Sequence, residues 1–288
     1  MRISQNHDLT TIYIKNNLRY FLRRMLIIKM KRSMKKHIKT WSIRLVSFGL
    51  ISFLSIILAV LNPSLLYANK TQFGSYTVYH QSELPIEFES RLETVDKLVK
   101  QSEIFDPSFN TKICLNDGSS YPRILETFRG TAFGWGFYNT AVFNGAFDFK
   151  ENTVTLNGYD WNLEHLMVHE LIHCMQFNAV GFLNASPLKS NPHWMWEGYP
   201  EYVSRKNKDQ VSLVDNITRL KLAKENDPNE WGVFFDDETV SPRSYYEARL
   251  LVQYCLEVKK MSYLHLLNTG LEKHEVQKEM NEWYQGAL

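Results

Sequence analysis

The stretch His165–Gln176, HLMVHELIHCMQ, sets three histidines and a glutamate among Leu166, Met167, Val168, Leu171 and Ile172. Ionisable groups in so apolar a segment are costly to bury unless they are paired or bind a metal. His169 and His173 are four residues apart, so on a helix they project from one face, a turn apart. Glu170 points toward the same space from the side. This is the HExxH pattern: two imidazoles hold Zn²⁺ and the glutamate acts on a water at the metal. A helix of hydrogen-bonded histidines would show the same letters, so the context has to decide.

A catalytic zinc needs a third protein ligand and one open position. The segment NPHWMWEGYPEYVSR offers Glu197, with 23 residues between it and His173, enough for a loop and a return helix packed against the first. Glu201 lies one turn further along the same face. There it can accept a hydrogen bond from a ligand histidine and fix that ring's tautomer and orientation. The hydrophobic residues around both glutamates argue against a solvated face. His169, His173 and Glu197 thus form a ligand set for one zinc per chain. His165 shares the helix face, but histidines at i, i+4 and i+8 span about 12 Å, too far for one tetrahedral ion. It is read as a helix-start or cleft-wall residue. His193 stands near Glu197 as a loop histidine within reach of a substrate, and Cys174 as a buried thiol.

The elements that must position these groups are legible in outline. Residues 86–105 carry apolar positions at helical spacing, TKICL (111–115) reads as a strand ended by the turn-forming NDGSS, and YPRILETF (121–128) as a helix. Thr131–Gly158, rich in aromatics, Gly and Asn, reads as extended structure with turns. Helices are expected over 162–178, 194–206, 214–225, 243–258 and 271–285. Strands first and helices afterwards predict an α+β domain with a helical C-terminal lobe.

HExxH followed by W-x-E-G-x-x-E-Y resembles the gluzincin metallopeptidases of the peptidase MA-like group, over about Val142 to Glu257. The resemblance implies a zincin-like fold: a small mixed sheet with an edge strand over the HExxH helix. It implies that Glu197, matching the aminopeptidases' NEGF-type glutamate, is the third ligand. It also implies that Glu201 supports a ligand histidine, as a carboxylate does in thermolysin-like enzymes. SYYEARLLVQYCLE is similar to the aminopeptidase helix whose tyrosine stabilises the oxyanion. Aligned on the tyrosine–glutamate pair, that residue is Tyr246, with Tyr245 as the rival. GTAFGWGFYNTAVFNGAF (130–147) is expected to supply the cleft's upper wall, and within it Asn144–Phe147, NGAF, resembles the edge sequence that pairs with substrate. No GAMEN-like sequence precedes the zinc helix, so exopeptidase activity has no support. The insert between the two zinc motifs is expected to form a loop near the cleft.

The N-terminal region differs from the rest. Twelve of the 33 Lys/Arg and one of the 31 Asp/Glu fall in residues 1–68, leaving 21 basic and 30 acidic residues in 69–288. The larger part is therefore acidic, which argues against a basic nucleic-acid surface. From Met34 a basic region precedes an uncharged run, Leu45–Leu61, then a proline and an alanine before polar sequence, the three parts of an export signal. The flanks favour a signal cleaved after Ala68 over a retained anchor, although Leu66 is a poor residue three positions before that bond. The domain reading is thus a 1–68 leader and a 69–288 catalytic domain. Both alternatives put the catalytic part outside the cytoplasm, secreted or anchored, with the membrane touched only through an uncleaved apolar run. Three cysteines cannot make a disulfide scaffold.

The expected function is an extracytoplasmic zinc metallopeptidase acting on peptides or proteins, with Glu170 as general base. Two alternatives share the residues: an exported binding or assembly module that keeps the fold, and a zinc hydrolase of a non-peptide substrate.

Overall fold

The computed structural model describes Met25, Met30 and residues 39–206 and 210–287. The chain divides into two compact units, Met1–Leu61 and Asn62–Leu288. In the first, helix α1 (Lys39–Leu61) has 23 residues and a mean hydropathy of 2.3, long and apolar enough to cross a membrane, and none of its apolar window is buried among the described residues. Met34, Lys35 and Lys36 of the basic region lie outside the described residues. The second unit reaches back to Asn62.

That unit is mixed α+β with small sheets. Strands β1 (Asn69–Phe73), β2 (Tyr76–His80), β3 (Thr111–Cys114), β4 (Gly134–Phe137) and β5 (Thr140–Phe143) form one sheet in the order β1-β2-β3-β5-β4. The inner strands β2, β3 and β5 run parallel, and β1 and β4 flank them antiparallel. The inner position explains the apolar, fully buried TAVF of β5: a strand covered on both faces has no polar side to show.

Helix α2 (Glu87–Val99) buries Phe88, Leu92, Val95, Leu98 and Val99, one stripe at helical spacing. It stops short of Phe105 for a tertiary reason. The hydroxyl of Tyr199 bonds Ser102 and accepts from the N–H of Glu103, which draws the chain off the helical ladder. Helix α3 (Tyr121–Arg129) precedes β4. A separate antiparallel meander follows, β6 (Ala146–Asp148), β7 (Thr153–Leu156) and β8 (Tyr159–Asn162).

Helix α4 (Leu163–Val180) carries the HExxH residues. Asn162 caps it, its side-chain oxygen accepting the N–H of His165 at 3.0 Å. Almost every residue from Leu163 to Phe177 is buried, because strands β4 and β5, helix α2 and helix α5 (His193–Ser204) all pack on it. A helix enclosed on all sides needs no solvent-facing polar stripe, which is why the apolar residues of this one lie on every side. The helical remainder comprises α6 (Leu213–Asn226), α7 (Arg243–Gln253), α8 (Tyr263–Leu267) and α9 (Lys273–Ala287). One π turn, Tyr254–Val258, extends α7, and a short hairpin, β9 (Gly232–Phe234) and β10 (Val240–Pro242), precedes it.

Helices α5 and α7 cross closely at Gly198, where a Cβ would stand 2.5 Å from the carbonyl oxygen of Ala248. The glycine of WEGY is therefore what lets α7 approach Glu197. That crossing, with the α4–α5 contact, brings α4, α5 and the start of α7 to one place.

Candidate metal centre

The ligand atoms of His169, His173 and Glu197 lie within 4.8 Å of one another. Glu197 Oε2 is 3.4 Å from His169 Nε2 and 3.1 Å from His173 Nε2. The two rings, one turn apart on α4, have centroids 4.9 Å apart. This group could hold a metal ion.

Both imidazoles are oriented from behind. Nδ1 of His169 faces Glu201 Oε2 at 3.3 Å, and a carboxylate can only accept, so Nδ1 carries the proton. Nδ1 of His173 lies 2.7 Å from Gln176 Oε1. The amide nitrogen of Gln176 donates to the carbonyl of Trp196 (2.9 Å) and the hydroxyl of Tyr263 (2.5 Å), so its oxygen is the end that faces the ring. Each ring thus has Nδ1 engaged from behind and Nε2 turned to the same point, where it donates to Glu197 without a metal and can ligate once that proton is lost.

Glu201 is itself pinned, its Oε1 accepting from Arg205 Nε at 2.5 Å and from Ser241 Oγ at 2.7 Å. Glu201 and Arg205 are each only 1% exposed, a buried ion pair one helical turn long. Burial opposes the charge on Glu201, but Arg205 and His169 beside it hold the carboxyl well below its ordinary range. Glu197 is held low in the same way, by His173 and His169 against burial. Burial also disfavours an imidazolium at His169, yet Glu197 and Glu201 outweigh it and raise the ring to about 10. A proton and a metal therefore compete for His169 Nε2.

A cavity of about 460 Å³ opens over the cluster, lined by His169, Glu170, His173 and Glu197 among others. Its upper wall is β4. Gly136 hydrogen-bonds through its backbone to the Glu170 carboxyl, and a Cβ on Gly136 would sit 2.2 Å from the Glu170 carbonyl oxygen. A Cβ on Gly134 would be 2.8 Å from Glu170 Cγ. The two glycines of GWGF are what allow the strand to lie directly on α4. Burial pushes the Glu170 carboxyl up, against the pull of His169 and His173 and the Gly136 bond. Ser186 and Pro187 from the loop between α4 and α5 reach the cavity, as expected of that insert.

Two expectations need correcting. The edge strand over α4 is β4 (134–137), whereas Asn144–Phe147 leads away into the separate β6–β8 sheet. Asn144 is turned inward, donating to the carbonyl of Ala132 and accepting from Asn116. Tyr246, the residue selected by alignment on the tyrosine–glutamate pair, is fully buried on the far side of α7. Its hydroxyl donates to Asn216 Oδ1 at 3.1 Å and accepts from Arg219. Tyr245 lines the cavity instead, its ring 5.9 Å from His169 and 5.6 Å from His193. Burial, with Glu197, Glu170 and Glu201 nearby, pushes its phenol up, so it is a hydrogen-bond donor at neutral pH.

His165 is buried on α4, and His193 is exposed at the start of α5. Cys174 is a buried free thiol, as are Cys114 and Cys255. Gln176, Arg205 and the two β4 glycines were not singled out from the sequence. A signal existed for two of them: Gln176 stands one turn after His173, and Arg205 one turn after Glu201.

Comparison with protein-family models, with curated proteins and with solved structures returned no match. The class of site that the geometry defines is a buried His–His–carboxylate cluster at the floor of an open cavity.

Proposed function

We propose that the chain is a zinc-dependent metallopeptidase of the gluzincin type with a zincin-like fold, acting outside the cytoplasm on peptide or protein substrates. One observation carries the reading. In a tetrahedral zinc site with bonds of about 2.0 Å, ligand atoms stand about 3.3 Å apart. The distances from Glu197 Oε2 to the two histidine nitrogens are 3.1 and 3.4 Å, with both Nε2 atoms facing it. The fourth side of the group opens on the cavity that Glu170 and Tyr245 line.

Zinc bound there would lower the pKa of a water toward about 7 and polarise the scissile carbonyl. The chain's own residues do the rest. Glu170, its carboxyl raised by burial, takes a proton from the attacking water and passes it to the amine as the C–N bond breaks. Tyr245 takes the oxyanion role that the resemblance attached to a tyrosine of this helix, donating its O–H to the developing charge. Glu201 and Gln176 hold the two imidazoles in the ligating tautomer. Among the described residues the outer edge of β4 has no strand partner, and an extended substrate adds there, beside Glu170.

The test is a peptide-library digest by the purified protein, with elemental analysis of the same sample. Wild type should carry about one zinc per chain. Glu170→Gln should keep that zinc and lose at least about 10²- to 10⁴-fold in turnover, since the amide cannot take up the proton. A zinc-replete Glu170→Gln protein with wild-type turnover would refute the mechanism. Inactivity of zinc-loaded wild type on every peptide would move the reading to a non-peptide substrate or a binding role.

A further inference from the structure

Residues 62–68, between α1 and β1, are built into the folded unit. Pro63 is buried at the start of a short 3₁₀ turn, Pro63–Leu65. The carbonyl of Leu66 accepts from Ser119 Oγ at 2.8 Å. Tyr67 is 8% exposed, with its ring 5.9 Å from that of Tyr79 and 6.0 Å from that of Tyr121. Its hydroxyl donates to the carbonyl of Leu115 at 2.9 Å. The N–H of Ala68 donates to Gln81 Oε1 at 2.6 Å. Cleavage after Ala68 would remove Tyr67 from this aromatic cluster and leave the buried Leu115 carbonyl without its partner. Loss of so large a buried side chain is among the most damaging single changes a core undergoes. A discarded signal end has no reason to be packed in this way.

We propose that α1 is retained as a transmembrane anchor with the lipid bilayer as its partner, and that Pro63–Ala68 is the first structural piece of the outer domain. At 1.5 Å per residue the 23 residues of α1 span about 35 Å, enough for a hydrocarbon core of about 30 Å. None of its apolar window is covered by the described residues of the chain, which leaves its whole circumference open to lipid. The covalent link alone then sets a limit on reach: six peptide units from Leu61 to Tyr67 extend at most about 21 Å. Tyr67 packs on Tyr121 at the start of α3, and Arg129, at the other end of α3 about 12 Å along, lines the cavity. Resting on the peptidase reading above, the substrates are chains displayed close to the same membrane surface.

The experiment uses the full chain with a C-terminal tag, expressed in a bacterium, in wild-type and Glu170→Gln forms. The inactive form separates membrane retention from any self-processing. Both should stay in the membrane pellet through an alkaline carbonate wash and have an N-terminus upstream of Lys39. A soluble exported protein beginning near Asn69 would overturn the proposal. Tyr67→Ala in the detergent-solubilised full chain should lower the melting temperature by at least about 5 °C. Unchanged melting would overturn the structural half of the claim. An anchored protein that cleaves no peptide supports the anchor and counts only against the peptidase reading.

Discussion

Replacing Glu201 by Gln probes the centre without touching a ligand. Glu201 faces three donors: His169 Nδ1–H at 3.3 Å, Arg205 Nε–H at 2.5 Å and Ser241 Oγ–H at 2.7 Å. A glutamine of the same shape has one accepting end. Two donors, one of them charged, compete for it on the Arg205 side, so the amide oxygen stays there and the NH₂ turns to His169. The ring then relieves the donor–donor contact by moving its proton to Nε2, the atom that should ligate. Metal affinity should fall about 10- to 100-fold, or roughly 1.4–2.7 kcal/mol. Independently, Arg205 loses the carboxylate that neutralises it at 1% exposure. Breaking a buried pair costs about 3–5 kcal/mol, which for a domain of this size is roughly 6–20 °C in melting temperature. The assay is competition with a chromogenic zinc chelator, alongside thermal unfolding with and without metal. A variant that melts lower but binds zinc like wild type would show that Glu201 serves Arg205 alone, and the tautomer argument would fall.

The paired variants Tyr245→Phe and Tyr246→Phe separate the two tyrosines. The first should lower kcat about 10²- to 10³-fold. The second should leave turnover intact and cost about 1 kcal/mol of stability for the lost Asn216 bond. If Tyr246→Phe were the inactive one, the placement of the oxyanion donor would be reversed. Gly136→Ala must push β4 off α4 by about 1 Å, since its Cβ would otherwise stand 2.2 Å from the Glu170 carbonyl. A misplacement of that size should reduce turnover about 10²-fold, and undiminished turnover would deny β4 its role as cleft wall. His165 should make stability pH-dependent. Burial, reinforced by Arg205, depresses its imidazole from 6.5 to about 3, so below pH 6.5 the unfolded chain takes up a proton that the native state refuses. Stability should therefore fall as pH drops from about 6.5 to 3, by up to about 1.4 kcal/mol per unit from this group. His165→Gln should flatten that part of a urea-unfolding profile, and an unaltered slope would mean the ring is not buried neutral.

What could be read from the sequence about this protein was what depends on local geometry. The spacing of His169 and His173 makes them neighbours on any helix, and the apolar residues around them make that helix a buried one. Glu201 follows Glu197 by one turn for the same reason. The helices of the C-terminal half, the strand at Thr111–Cys114 and the apolar run of α1 were legible because each is a contiguous pattern. The tertiary structure decided matters of rotation and of contact between distant segments. Whether Tyr245 or Tyr246 faces the cavity depends on how α7 is turned about its axis, and that is set by its close crossing with α5 at Gly198. Within the segment 130–147 the cleft wall is GWGF and not NGAF, because β4, paired with β5 at the sheet's edge, lies on α4 and is held there by two glycines against Glu170 and His173. Gln176 becomes the partner of His173 only once Trp196 and Tyr263 have fixed which way its amide points. Tyr67 reads as the end of a leader until Tyr79, Tyr121 and Leu115 close around it. Each of these turns on residues far apart in the chain, and a one-dimensional pattern carries no record of which of them will meet.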